Sequence, residues 1–333
     1  MVDAASPTQP PGRTLDAADK PRLGISACLL GDQVRFDGGH KRDAFLTEVL
    51  SPHVEWVRVC PEVEVGMGTP RETLRLVRDP VGGIRMITTR TGVDHTDAMV
   101  AWARRRLEEL ARERLSGYVL KKDSPSCGME RVKVYDGGGP GERKGRGIFA
   151  EALINRFPGL PVEEEGRLLD PALRENFIER VFAFRRLRAL FEARWTNAGL
   201  IAFHTAHKMS LLSHSTAAYN ELGRLVAAAG GMPRATLREE YERTFMQTMA
   251  IVATPRRHTN VLMHMTGHLK KLLDAESKQE LLACIDEYRR GLVPLVVPLT
   301  LLRHYVRLHD VAYLAGQTYL EPHPRELMLR NRV

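Results

Sequence analysis

Three cysteines of the chain occupy matched surroundings: Cys28 in Ser26-Ala27-Cys28-Leu29-Leu30-Gly31, Cys60 in Val59-Cys60-Pro61-Glu62, and Cys127 in Ser124-Pro125-Ser126-Cys127-Gly128. Each follows a predicted strand and lies in a turn rich in Gly, Pro or Ser. The carboxyl ends of the strands form the ligand-binding edge of an open α/β sheet, so thiols far apart in sequence can converge there on one metal centre. Three thiolates without a nearby fourth ligand suit either an open zinc site or an iron–sulfur cluster with one iron left for substrate. Spacing does not choose between them, because the chain has neither paired C-x-x-C motifs nor a ferredoxin-type run. A free cysteine also packs as a small hydrophobe, and Cys284, within Leu281-Leu282-Ala283-Cys284-Ile285, reads simply as core. Four scattered cysteines do not make a disulfide framework.

The elements that would position these turns divide the chain in two. At 333 residues and 43% hydrophobic composition the chain predicts two globular domains. Residues 1–20, with three prolines and no apolar stretch, read as a flexible tail, not a signal peptide. Residues 21–165 alternate β-rich runs with amphipathic stretches and predict a Rossmann-like α/β domain with a mostly parallel sheet. Its strands are expected at 23–27, 54–59, 84–88 and 117–121. Its helices are expected at 41–50, 98–114 (capped by Asp94) and 148–157, with a glycine loop at 137–141. Residues 166–333 predict an all-α domain with helices over 174–194, 200–229, 237–253, 258–273, 278–290 and 299–313. No apolar run approaches the length of a membrane span, and the expected location is the cytoplasm.

Charge separates the halves further. Residues 1–165 hold 25 Lys+Arg against 25 Asp+Glu, whereas residues 166–333 hold 24 against 16, so the net +8 lies in the helical half. A basic helical domain suits a polyanion, nucleic acid first among them. The expected phosphate contacts are Arg185, Arg186, Lys208, Arg256, Arg257, Lys270, Lys271, Arg303 and Arg307. With 6% aromatic residues there is little for stacking many unpaired bases, so recognition should follow the shape and backbone of a folded RNA. His204 with His207, and His264 with His268, share helix faces, but without a third ligand they suit packing or RNA contact better than metal.

The motifs around the cysteines, together with Arg35-Phe36-Asp37-Gly38 and Pro70-Arg71, resemble in content and order those of the thiouracil desulfidase family, over about residues 22–160. Ala202-Phe203-His204-x-x-His207-Lys208 and Leu301-Leu302-Arg303-His304-Tyr305 resemble the helical YbgA-type domain fused to such desulfidases. The resemblance implies a [4Fe-4S] cluster held by Cys28, Cys60 and Cys127, whose fourth iron captures the sulfur of a thiolated pyrimidine and releases it as hydrosulfide. For the two-domain members it implies 4-thiouridine in transfer RNA as substrate. Replacing C=S by C=O needs a water and a proton manager. Glu62 suits a general acid or base, Ser124 and Ser126 can donate to substrate or orient the water, and the resemblance points to this glutamate and one of these serines. Arg35, Asp37, Arg71 and Lys121, with Lys122, lie in or beside the same loops and could position substrate or phosphate. Two other readings remain at this point: desulfuration of a free thiouracil or thiouridine, and a non-catalytic RNA-binding or redox-sensing protein carrying a metal.

Overall fold

A computed structural model describes residues 20–136 and 139–332. The expected tail, apart from Lys20, and Gly137-Gly138 of the glycine loop lie outside the described residues. The chain forms two compact units, Lys20–Phe177 and the segment from Ile178 onward. In chain order the first unit carries β1 (Arg22–Ser26), β2 (Glu55–Val59), α1 (Pro61–Glu64), β3 (Leu74–Arg78), β4 (Ile84–Thr88), α2 (Thr96–Arg112), β5 (Gly117–Leu120), β6 (Val132–Tyr135), β7 (Glu142–Gly145), α3 (Ile148–Arg156) and β8 (Val162–Glu164).

One sheet runs β2-β1-β5-β8, with every pairing parallel. Its centre is dry: Leu23, Ile25, Tyr118, Val119 and Leu120 are fully buried, as strands covered on both faces must be. Gly24 lets the strands close up, since a Cβ there would stand 2.2 Å from the Tyr118 ring. A second, mixed sheet runs β4-β3-β6-β7. The strand expected at 84–88 belongs to this second sheet, paired antiparallel with β3, and not to the parallel one. Arginines at 75 and 78 disguise the β3 pattern, and Asp79 through Gly83 forms the turn that joins it to β4. Residues 41–50 give only a π-helical turn, Phe45–Leu50. Asp94 does serve the start of α2, its Oδ1 accepting the Thr96 N–H at 2.8 Å.

From α4 (Pro171–Glu192) onward the chain is helical: α5 (Asn197–Ala206), α6 (Lys208–His214), α7 (Thr216–Ala227), α8 (Arg234–Met249), α9 (Pro255–Leu269), α10 (Ala275–Arg289), α11 (Val296–Leu308) and α12 (Ala312–Ala315). The single helix expected over 200–229 is three. It breaks at His207 and again at Ser215, whose extended backbone and side chain cap α7. Val261, Leu262, Met265, Leu281, Leu299 and Leu302 build the core of this unit. Among the described residues no helix is long and apolar enough to cross a membrane.

Candidate active site

The three cysteine turns stand at the carboxyl ends of β1, β2 and β5, three adjacent strands, and are built differently. After β1 the chain winds into a 3-10 turn, Ala27–Leu30, ended by Gly31 at φ +100°, a conformation glycine adopts freely. Cys60 precedes α1, and its N–H donates to the Glu64 carboxylate at 3.0 Å. Ser124 shapes the third turn, its Oγ accepting the N–H groups of Ser126 at 3.3 Å and Cys127 at 3.1 Å. This loop then rests on α3, with Ile148 N–H on the Pro125 carbonyl and Ala150 N–H on the Ser126 carbonyl, both at 3.1 Å.

Cys28, Cys60 and Cys127 line one cavity of about 330 Å³, together with Glu62, Ser124, Ser126, Arg35, Arg71 and Lys121. Glu62 is the hub. Arg71 donates to its Oε2 through both Nε (2.9 Å) and Nη2, while Ser126 Oγ donates to Oε1 at 2.6 Å. Ser124 Oγ lies farther off, 3.4 Å from Oε1 and 2.9 Å from Ser126 Oγ. Arg71 also donates to the carbonyls of Val34 and Gly68, each at 3.0 Å, tying the loops after β1 and β2 together. The bonds that reach Glu62, from Arg71, Ser124 and Ser126, are all donated to it, so both carboxylate oxygens act as hydrogen-bond acceptors.

The cysteines are free thiols. Burial pushes the Cys28 thiol up to about 11, with the Lys121 ammonium pulling against it. It pushes Cys60 and Cys127 up as well, and the neighbouring cysteines add to the effect at Cys28 and Cys127. Among the described residues no group of three or more His, Cys, Asp or Glu side chains has the geometry to hold a single ion, although three thiols about one zinc would have their sulfurs only about 3.8 Å apart. Three soft thiols lining one cavity are a donor set that suits an iron–sulfur group. Binding would displace the thiol protons.

Asp37 stands outside this cavity, contrary to its expected place at the substrate. It is an exposed turn residue whose carboxyl the Gly39 N–H and Arg35 hold below the usual carboxylate range. Two residues that the sequence reading did not single out also belong here. Ser26, buried at the end of β1, accepts the Lys121 backbone N–H at 3.0 Å, and its hydroxyl pulls against the burial that pushes the Cys127 thiol up. Glu165, one residue beyond β8, bonds Lys121. Reading residues 162–164 as the fourth parallel strand would have placed Glu165 at the same sheet edge as the cysteines.

In the helical unit Lys208, Arg257 and Arg185 are half-buried, while Arg256, Lys270, Lys271 and Arg307 are exposed. Arg186 is a correction: its guanidinium turns inward to the Pro322 carbonyl, and burial lowers its pKa to about 10, so its charge does not meet a phosphate. Arg303 likewise donates to the Leu320 carbonyl at 3.4 Å and Thr300 Oγ1 at 3.2 Å. His204 stacks on Tyr219 and bonds Tyr241, and His207 is buried against Phe203. Both are packing residues.

An α/β unit with a cysteine-lined cavity at the edge of its parallel sheet, followed by a helical unit, defines a class, and comparison with known proteins identifies it. The 2-thiouracil desulfurase family model matches residues 23–165, and a model described as a protein of unknown function, DUF1722, matches residues 208–324. The chain is 37% identical to YbgA of Escherichia coli (strain K12) over 161 residues, which is 47% of this chain and 94% of that protein. It is 30% identical to YbbK of Bacillus subtilis (strain 168) over 151 residues, 44% of this chain and 97% of that protein. A solved structure described as the [4Fe-4S]-dependent thiouracil desulfidase TudS shares 30% identity, with 48% of this chain covering all of that one at a TM-score of 0.38. The chain therefore belongs to the 2-thiouracil desulfurase family, with a YbgA-like DUF1722 domain joined to its desulfurase domain.

Proposed function

We propose that the protein hydrolyses the thiocarbonyl of 4-thiouridine in transfer RNA to give uridine, using a [4Fe-4S] cluster held by Cys28, Cys60 and Cys127 with one iron free of protein ligands. The observation that carries this reading is the cavity itself: three thiols from separate segments around one space, with a Glu62–Ser126 hydrogen bond of 2.6 Å on its wall. Bound there, such a cluster supplies a soft Lewis acid for a thione sulfur. The chain supplies the proton chemistry. Ser126 passes its hydroxyl proton to Glu62 Oε1 as it takes one from the attacking water, and Arg71 keeps Oε2 fixed meanwhile. Water contributes oxygen to the ring carbon, the sulfur leaves as hydrosulfide, and no electrons are transferred overall. The exposed Arg256, Lys270, Lys271 and Arg307 of the basic helical unit favour a polynucleotide over a free base.

The test is sulfide release under multiple turnover by anaerobically purified protein, comparing thiolated tRNA with free 4-thiouridine. Turnover of the tRNA, its affinity falling steeply between about 50 and 200 mM salt, is the expected result, with Cys28→Ala, Cys60→Ala and Cys127→Ala each losing iron and activity. Full iron content in all three variants overturns the cluster, and turnover of the free nucleoside alone overturns the RNA substrate.

A further inference from the structure

The acidic run Glu163-Glu164-Glu165 puts three consecutive carboxylates to three different uses. Glu163 meets Arg167, Glu164 accepts the Met129 N–H at 2.6 Å, and Glu165 alone reaches a residue of the cavity, Lys121. An ammonium has three N–H donors. One from Lys121 goes to Glu165 Oε1 and one to the Lys122 carbonyl at 3.1 Å, and among the described residues its Nζ makes no other hydrogen bond. Glu165 is fixed in turn, its Oε2 accepting the Lys122 N–H at 2.8 Å and its own N–H meeting the Leu120 carbonyl at 3.3 Å. The two side chains are only 15% and 12% exposed, and Lys121 lines the cavity, so the third N–H has the cavity as its outlet.

We infer that Glu165 is a positioning residue that aims the remaining N–H of Lys121 at the ring carbonyl oxygen of an oxo-thioxopyrimidine in the cavity. The inference rests on the desulfidase reading above. Water attacking the thiocarbonyl carbon loads negative charge onto the heteroatoms of the ring, and a cationic donor fixed in advance stabilises that charge without reorganising. A lysine on four rotatable bonds does not hold such a position unaided, and the carboxylate confines it.

The experiment compares Lys121→Met, Glu165→Gln and the double variant, with transfer RNA carrying 4-thiouridine as substrate and uridine, which keeps the ring carbonyls, as binding probe. Lys121→Met should lower kcat/KM about 10²-fold. Glu165→Gln should lower it about tenfold. The double variant should be no worse than Lys121→Met, because Glu165 acts through the lysine. Uridine affinity should fall in step, while iron and sulfide per chain stay at wild-type levels. Losses that multiply in the double variant, or uridine affinity unchanged in all three, overturn the proposal. If the wild type binds uridine through Lys121 yet releases no sulfide, the desulfidase reading fails and the positioning role stands. Absence of both binding and turnover removes both.

Discussion

Gly147 tests whether the Cys127 turn is held by close backbone contact. This residue precedes α3 with φ −65° and ψ 144°, a conformation open to alanine, so the backbone itself does not demand glycine. Space does. A Cβ would stand 2.5 Å from the carbonyl carbon and oxygen of Ser126 and 2.8 Å from the Cys127 nitrogen, where ordinary contact begins at 3.4 Å. Gly147→Ala must therefore separate two backbone segments by about 0.9 Å, with no flexible side chain to give way. The bonds joining those segments, Gly147 N–H to the Gly128 carbonyl at 2.8 Å among them, would stretch. Overpacking of this kind costs about 1–3 kcal/mol. For a unit of this size that lowers the melting midpoint by roughly 3–10 °C. Thermal melting and iron content after anaerobic reconstitution read the two consequences, with Gly83→Ala, which meets nothing within 4 Å, as the neutral control in the same unit. Melting and iron content equal to wild type in Gly147→Ala would refute the contact argument.

The two serines should separate by readout. Ser126→Ala removes the 2.6 Å donor to Glu62 and should lower kcat by about 10²-fold with melting little changed, whereas Ser124→Ala unpairs two backbone N–H groups of the cysteine turn and should cost about 1 kcal/mol with a smaller effect on kcat; the reverse pattern would exchange their roles. The helical unit should be acid-labile. Burial lowers His204 and His323 to about 4 and His207 and His258 to about 3, from an unfolded value of 6.5. Folded chains then bind fewer protons than unfolded ones, so the contribution is complete above pH 6.5 and is lost as pH falls toward 3–4. At pH 5 each histidine forfeits about 2 kcal/mol. Burial alone would raise the Glu179 carboxyl, but His214 and Arg330 outweigh it and hold it well below the usual range, adding a further loss below about pH 4.5. Denaturant midpoints followed from pH 7.5 to 5 check this, and a flat profile would overturn it.

The cysteine turns were legible because their chemistry is written in short, local motifs: a thiol beside Gly, Pro or Ser at a strand end carries its position with it. The parallel sheet was legible for the same reason, with β1, β2 and β5 announced by apolar runs. What stayed hidden depends on partners far along the chain. The Leu74–Arg78 strand carries arginines at two of its five positions, and only pairing with β4 and β6 makes it a strand. Arg186 reads as a surface cation in a sequence window, and it takes Pro322, 136 residues away, to turn it inward. β8 is only three residues long, too short a run to announce a strand, and so Glu165 just beyond it does not read as part of the cysteine edge. Charge balance by segment thus identifies a basic unit without identifying which of its cations face outward.

The hydrogen bonds around Glu62 also order the proposed chemistry in time. With Arg71 donating to one oxygen and Ser126 to the other, both oxygens of Glu62 are hydrogen-bond acceptors. The reaction needs both acts, since water must lose a proton to attack and the departing sulfur must gain one. A group that begins as acceptor performs them in sequence, holding the water's proton until the sulfur leaves. Arg71 offsets the negative charge Glu62 carries before the first transfer and after the second, and with its side chain only 7% exposed it does so in surroundings where that attraction is weakly screened. Lysine in its place would keep the charge but lose the fork that spans Glu62, Val34 and Gly68, so the same residue that balances the carboxylate also fixes the loops bearing two of the three thiols.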